Sequence, residues 1–158
     1  MVDIHKTVVN LYQDNQDELE IFECEDAFSD TQSFCDHYGY KIEDSCNAIL
    51  IKSKKPKQFY ALFCVLGIDR LDVNHKGKAV LSSKKLSFAS REEAEEITGQ
   101  IYGGISPLGL PKDIKIYVDK NVMDRENVFI GGGNRVSKFF LSPETLVDLT
   151  NASVEDLT

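Results

Sequence analysis

The sequence predicts a single mixed α/β domain of the α+β type, in which a strongly curved, barrel-like β-sheet is flanked by helices. Three observations lead there. Two apolar runs, Ala48 to Ile51 and Phe59 to Leu66, flank a lysine-rich turn and read as neighbouring buried strands. Helix start and stop signals alternate with strand runs along the chain. No repeat or linker divides the 158 residues. At this length roughly two thirds of the unfolded surface can be buried on folding, so one domain over 1–158 is expected without metal or disulfide staples.

In chain order, Ile4, Val8, Leu11 and Tyr12 share a helical face and predict an opening helix over 3–12. Leu19 to Cys24 reads as a short strand with acidic flanks. Ser29 or Asp30 caps a helix whose buried stripe is Phe34, Cys35 and Tyr38, and Gly39 ends it. A turn or short helix at 41–45 leads into the two central strands, joined through Lys54, Lys55, Pro56 and Lys57. Val73 to Leu81 reads as a helix weakened by Gly77, and Leu86 to Phe88 as a strand. Ser90-Arg91-Glu92-Glu93 is a capping box that opens a helix ending at Gly99.

That helix delivers the chain into Tyr102-Gly103-Gly104-Ile105-Ser106-Pro107-Leu108-Gly109-Leu110-Pro111, with three glycines and two prolines in ten positions. Neither a helix nor an ordinary strand runs through such a stretch. Its shape is specified by the residues that break regular structure, and it serves either as a binding wall or as routing between elements. Beyond it, Ile114 to Val118 alternates as a strand and Asp119 to Asp124 turns. Val128 to Ile130 and Val136 to Leu141 form two further strands around Gly131-Gly132-Gly133-Asn134-Arg135. Ser142 caps a closing helix with Pro143 first and Leu146, Val147 and Leu149 inward.

Composition narrows the function classes. A formal charge of −8, from 18 Lys+Arg against 26 Asp+Glu, argues against a protein that binds nucleic acid by neutralising phosphates over its whole surface. Lysines near 52–57 and 76–85 leave room for a local basic patch, or are solvated surface. The start of the chain lacks a basic stretch followed by an apolar core, which predicts a cytoplasmic protein without a membrane partner. Cys24, Cys35, Cys46 and Cys64 are widely spaced without a Cys-x-x-Cys pair and are expected as buried free thiols. His5, His37 and His75 lie on different elements, so neither metal nor other cofactor is expected. The triple glycine at 131–133 precedes a strand and lacks the lysine of a phosphate loop. It reads as a hairpin with one wall facing a pocket. No Gly-x-Ser-x-Gly is present, which leaves Ser106 as a turn former or ligand hydrogen-bonder. Asp119, at a strand end, either caps a turn or positions a cationic amine.

The series Arg70-Leu71-Asp72, Ala89-Ser90, Ile97-Thr98-Gly99, Gly103 to Pro111, Ile116 to Asp119, Gly131 to Arg135 and Leu141 to Glu144 resembles the YbaK/ProRS-associated editing-domain family from about Phe28 onward. The resemblance implies a barrel-like α/β fold without metal and an aminoacyl-tRNA deacylase, which cuts the ester of tRNA mischarged with a small amino acid. It implies that Gly103 and Gly104 contact the aminoacyl carbonyl through their backbone. Ile105, Ser106, Pro107, Asp119, Gly131 and Gly132 are then candidates for the substrate-binding wall. One position departs from the family: Asn47 stands where its editing enzymes carry a lysine, and an amide offers hydrogen bonds but no charge. The sequence resembles a branch with this replacement. The acceptor end of an aminoacyl-tRNA is the expected partner, with a synthetase as a further one and DNA as none. Asn47 leaves a non-catalytic binder of aminoacyl-tRNA, or an accessory domain of a synthetase, as the competing readings.

Overall fold

The computed structural model describes residues 2–158, and its centre is the strand Phe59–Leu66 (β3). Leu62, Cys64 and Leu66 face one apolar cluster while Ala61, Phe63 and Val65 face another. A strand buried on both sides needs no polar alternation, which is why this run is continuous. Cys46–Lys55 (β2) pairs antiparallel with β3 from Cys46 opposite Leu66 to Ser53 opposite Phe59. Lys85–Phe88 (β4) joins the far side of β2, with a register shift between Ser53 and Lys55. On the other side of β3, Lys115–Asp119 (β5) and Ser153–Glu155 (β8) add in parallel. Parallel neighbours require crossovers. Lys78–Leu81 (α3) and Arg91–Thr98 (α4) lie on the first, and Pro143–Thr150 (α5) on the second.

Glu20–Glu23 (β1), Ser137–Leu141 (β7) and Val128–Gly131 (β6) form a second, antiparallel sheet in the order β1-β7-β6. An isolated bridge from Ser45 to Phe129 links the two sheets. They share the main core, in which Leu50 and Leu62 meet Ile130, Phe139 and Leu146. The other face of the smaller sheet is covered by Thr31–Tyr38 (α2), whose Phe34 and Cys35 pack on Phe129 and Cys24.

Three expectations are corrected. The single barrel-like sheet is replaced by two open sheets, with β4 and β8 as edges of one and β1 and β6 as edges of the other. The opening helix (α1) spans only Val9–Asp14, because the chain first turns so that the Val8 and Val9 N–H groups donate to the His5 carbonyl. β-Branched Thr7, Val8 and Val9 favour that late start. The segment 73–81 divides at Gly77 into a π-helical turn and α3. All four cysteines are free and buried. Among the described residues no helix is long and apolar enough to cross a membrane.

Candidate functional site

The site begins with the capping box of α4. Ser90 Oγ accepts from the Glu93 N–H at 3.1 Å, and Glu93 Oε1 accepts from the Ser90 N–H at 3.1 Å. The other carboxylate oxygen takes Lys52 Nζ at 2.8 Å and the Tyr60 hydroxyl at 2.5 Å, which ties the helix start to β2 and β3. Lys52, then Tyr60, then the Ser90 N–H hold this carboxyl down from 4.5 to about 2. With α4 fixed and closed at Gly99 in the left-handed conformation, Gln100 enters the interior. Its Oε1 accepts from the Ser106 N–H at 2.7 Å, and its Nε2 donates to the Leu108 carbonyl at 2.9 Å. Ser106 Oγ in turn accepts from the Leu108 N–H at 3.1 Å. A single buried amide therefore sets the shape of the loop from both sides.

The first part of the loop is zipped onto the β6–β7 hairpin. The Gly133 N–H donates to the Gly104 carbonyl at 2.7 Å, and the Ile101 N–H to the Gly133 carbonyl at 2.9 Å. Gly103 has φ +90, which side-chain-bearing residues rarely adopt, and a Cβ on Gly104 would fall on the Asn134 carbonyl. The Gly104 N–H is used within the loop, donating to the Ile101 carbonyl at 2.9 Å. Among the described residues no protein acceptor takes the Gly103 or Ile105 N–H. These flank the engaged amide as available donors.

Between this loop, the start of β2, the start of α2 and the β6–β7 hairpin lies a cavity of about 340 Å³. Asn47, Gly103, Gly104, Ile105 and Gly131 all line it. Asn47 Oδ1 accepts from the Thr31 and Ser45 hydroxyls, each at 3.2 Å. Its amide NH2 has no protein partner among the described residues, and no buried side-chain nitrogen or oxygen there lacks one. The NH2 group is consequently open to the cavity that Asn47 lines. Cys46, also on the wall, is held in the thiol form by its hydrogen bond with Cys64 and by burial. Asp30, at the rim, has its carboxylate 3.4 Å from Arg135 Nη1.

The remaining predicted site residues are elsewhere. Ser106 is fully buried, with its polar atoms spent on shaping the loop. Pro107 lines a different cleft, beside Leu11, Gly109 and Leu149. Gly132 is not on the cavity wall, and its N–H donates to the Ser137 carbonyl at 3.1 Å. Asp119 is fully buried under the end of the chain, where it accepts from the Leu157 N–H at 2.8 Å, the Asn121 N–H at 3.2 Å and the Thr158 hydroxyl at 3.3 Å. Turn capping is the role its geometry shows.

Several wall residues escaped the sequence reading as site residues, and Lys138 is the charged one buried among them. Lys138, on β7 opposite Gly131 of β6, lines the cavity while only 7% exposed. Its Nζ donates to the Ser29 carbonyl at 2.9 Å and lies 5.0 Å from the centre of the Phe34 ring. Burial pushes its ammonium below the usual lysine range. The signal lay in the period of β7: Val136 and Phe140, two residues to either side, put Lys138 on an apolar face.

A larger cleft of about 1010 Å³ runs past Tyr60, Leu81, Ile97 and Tyr117 and shares no residue with this cavity. The smaller cavity is the better candidate, because ligand sites bring a few convergent polar groups to one wall. Backbone N–H groups of the glycine loop, the Asn47 amide and the Lys138 ammonium line this cavity together. Among the described residues no group of three or more His, Cys, Asp or Glu is placed to hold a metal ion.

The profile of the aminoacyl-tRNA editing domain family matches residues 25–149. EbsC of Enterococcus faecalis, named as a candidate Cys-tRNA(Pro)/Cys-tRNA(Cys) deacylase, is 29% identical over 92 residues, 58% of this chain and 56% of that protein. Proline–tRNA ligase of Treponema denticola is 31% identical over 136 residues, 82% of this chain and 22% of the ligase. The matched region thus spans about half of the first relative and a minor part of the second. A solved structure described as a candidate trans-editing enzyme for prolyl-tRNA synthetase superposes with a TM-score of 0.83 at 23% identity, over 99% of both chains. That likeness concerns the fold.

Proposed function

The chain belongs to the aminoacyl-tRNA editing domain family, and from that premise we propose that it hydrolyses the ester joining a wrongly attached small amino acid to the acceptor end of tRNA. The observation that carries this reading is the convergence of hydrogen-bond donors on a cavity of about 340 Å³. An aminoacyl ester is already reactive. Placing it beside a water and stabilising the negative charge that develops on its carbonyl oxygen accelerates its hydrolysis without a covalent intermediate.

In this reading the carbonyl oxygen lies against the Gly103 and Ile105 N–H groups, and the Asn47 NH2 binds a neighbouring oxygen of the ester or ribose. The Gly104 N–H and carbonyl hold the loop in place instead of touching substrate. Water attacks the carbonyl carbon, and the ribose hydroxyl leaves with a proton. The products are the free amino acid and intact tRNA. The cavity volume is at the lower end of the range for small-molecule sites, which favours a small side chain. The reading takes 1–158 as one editing domain, and the prolyl ligases among the relatives support a synthetase as a further partner.

Incubation with a panel of tRNAs mischarged with small amino acids tests this. Release of amino acid from at least one is expected, and no release from any at enzyme excess rejects the activity. The Asn47 departure favours one second reading, a non-catalytic binder. It requires saturable binding of the same tRNAs without turnover, so the same panel separates the two.

A further inference from the structure

We propose that Lys138 is the anion-binding group of the cavity, its ammonium receiving a negatively charged oxygen of the ligand. A lysine at 7% exposure in this position is costly, and its surroundings do not repay the cost. Among the described residues no carboxylate lies within 4.0 Å of its Nζ, where all other close ion pairs of the chain are found. Asp30 is turned to Arg135. The Ser29 carbonyl satisfies one of the three ammonium protons, and the Phe34 ring covers another side. A neutral side chain would serve the Ser29 carbonyl equally well without a buried charge. What the charge adds is attraction for an anion, and the cavity it lines also holds the Asn47 NH2 and the Gly103 backbone. Gly131, opposite Lys138 in the sheet, lets the glycine loop pack against it, since a Cβ there would lie 2.5 Å from the Ile105 carbonyl oxygen and 2.7 Å from that of Gly104. The ammonium absent at Asn47 is thereby supplied from another strand.

This inference rests on the proposed deacylation for the identity of the ligand. The anionic oxygen then comes from one of two sources: the phosphate that joins the terminal nucleotide to the tRNA, or the oxyanion that forms as water adds to the ester.

The test compares wild type with Lys138→Met and Lys138→Gln. Thermal unfolding is expected at or above the wild-type temperature, because removing a buried unpaired charge relieves its desolvation. If the phosphate is the source, KM for mischarged tRNA rises at least about tenfold, and the wild-type preference for adenosine 5′-monophosphate over adenosine disappears. If the oxyanion is the source, kcat falls on the order of 100-fold with KM unchanged. Variants that bind and deacylate like wild type overturn the proposal.

A second measurement keeps it testable if the variants do not fold. The Lys138 Nζ resonance of the wild-type protein is followed on adding adenosine 5′-monophosphate, and separately an aminoalkylphosphonate ester at the ribose 3′ oxygen of adenosine. A shift with either charged probe, absent with its neutral counterpart, supports the assignment, and no shift with either rejects it. A protein that deacylates nothing yet shows this shift loses the proposed function but keeps the anion site. One that deacylates with Lys138 silent does the reverse.

Discussion

A methyl group on Gly104 would fall on the carbonyl of Asn134, so Gly104→Ala must push apart two segments of main chain. The expected cost is ~2–4 kcal/mol of stability, read from denaturant unfolding, with deacylation lost through displacement of the loop. Asn47→Ala is a different kind of change. It removes an exposed NH2 group and one acceptor shared by the Thr31 and Ser45 hydroxyls. The fold should lose about 1 kcal/mol, while kcat/KM falls about tenfold, the value of one substrate hydrogen bond. Steady-state kinetics beside an unfolding curve separates the two effects. Asp119→Ala reverses the balance: loss of the acceptor for the buried Leu157 N–H costs ~1–3 kcal/mol, with kinetics unchanged in whatever fraction remains folded. At this scale the glycines were legible because they break a local pattern, and Asn47 because it departs from the lysine that the family resemblance implies. Gln100 and Lys138 were not, since the role of a buried polar group depends on atoms distant in sequence. Gln100 meets Thr7, and Lys138 meets Ser29.

Among the elements, α4 was readable to within a residue, from Ser90 and Glu93 at its start to Gly99 at its end. The sequence did not show that Glu93 also ties α4 to β2 and β3. The folded carboxyl titrates near 2 against an ordinary 4.5. Because the folded value is the lower one, this stabilisation is fully present above about pH 4.5 and is lost as the pH falls toward 2. Glu93→Gln should therefore lower stability at neutral pH and flatten the acid limb of the stability curve, so that the variant and wild-type curves converge as the pH falls toward 2, as followed by circular dichroism at each pH. The strand β8 was invisible for a different reason. Ser153–Glu155 has no apolar run of its own, and it becomes a strand only by lying parallel to β5 with Leu157 buried beyond it.

For the molecule as a whole, sequence periodicity identified most strands but not their partners. β1 pairs with β7, more than a hundred residues later, and takes that strand into a separate sheet. Alternation along one strand carries no record of such a pairing, so a bent single sheet and two open sheets read alike. The division matters for the site, because the cavity lies where the start of β2 from one sheet faces the β6–β7 hairpin of the other, with the glycine loop across the gap. Amide resonances of the labelled protein, titrated with a non-hydrolysable aminoacyl-adenosine, test most directly whether the ester is held there. The Gly103 and Ile105 backbone amides and the Asn47 side-chain amide should shift together with saturation. Shifts confined to the larger cleft around Tyr60, Ile97 and Tyr117, with those three signals unmoved, would contradict the assignment.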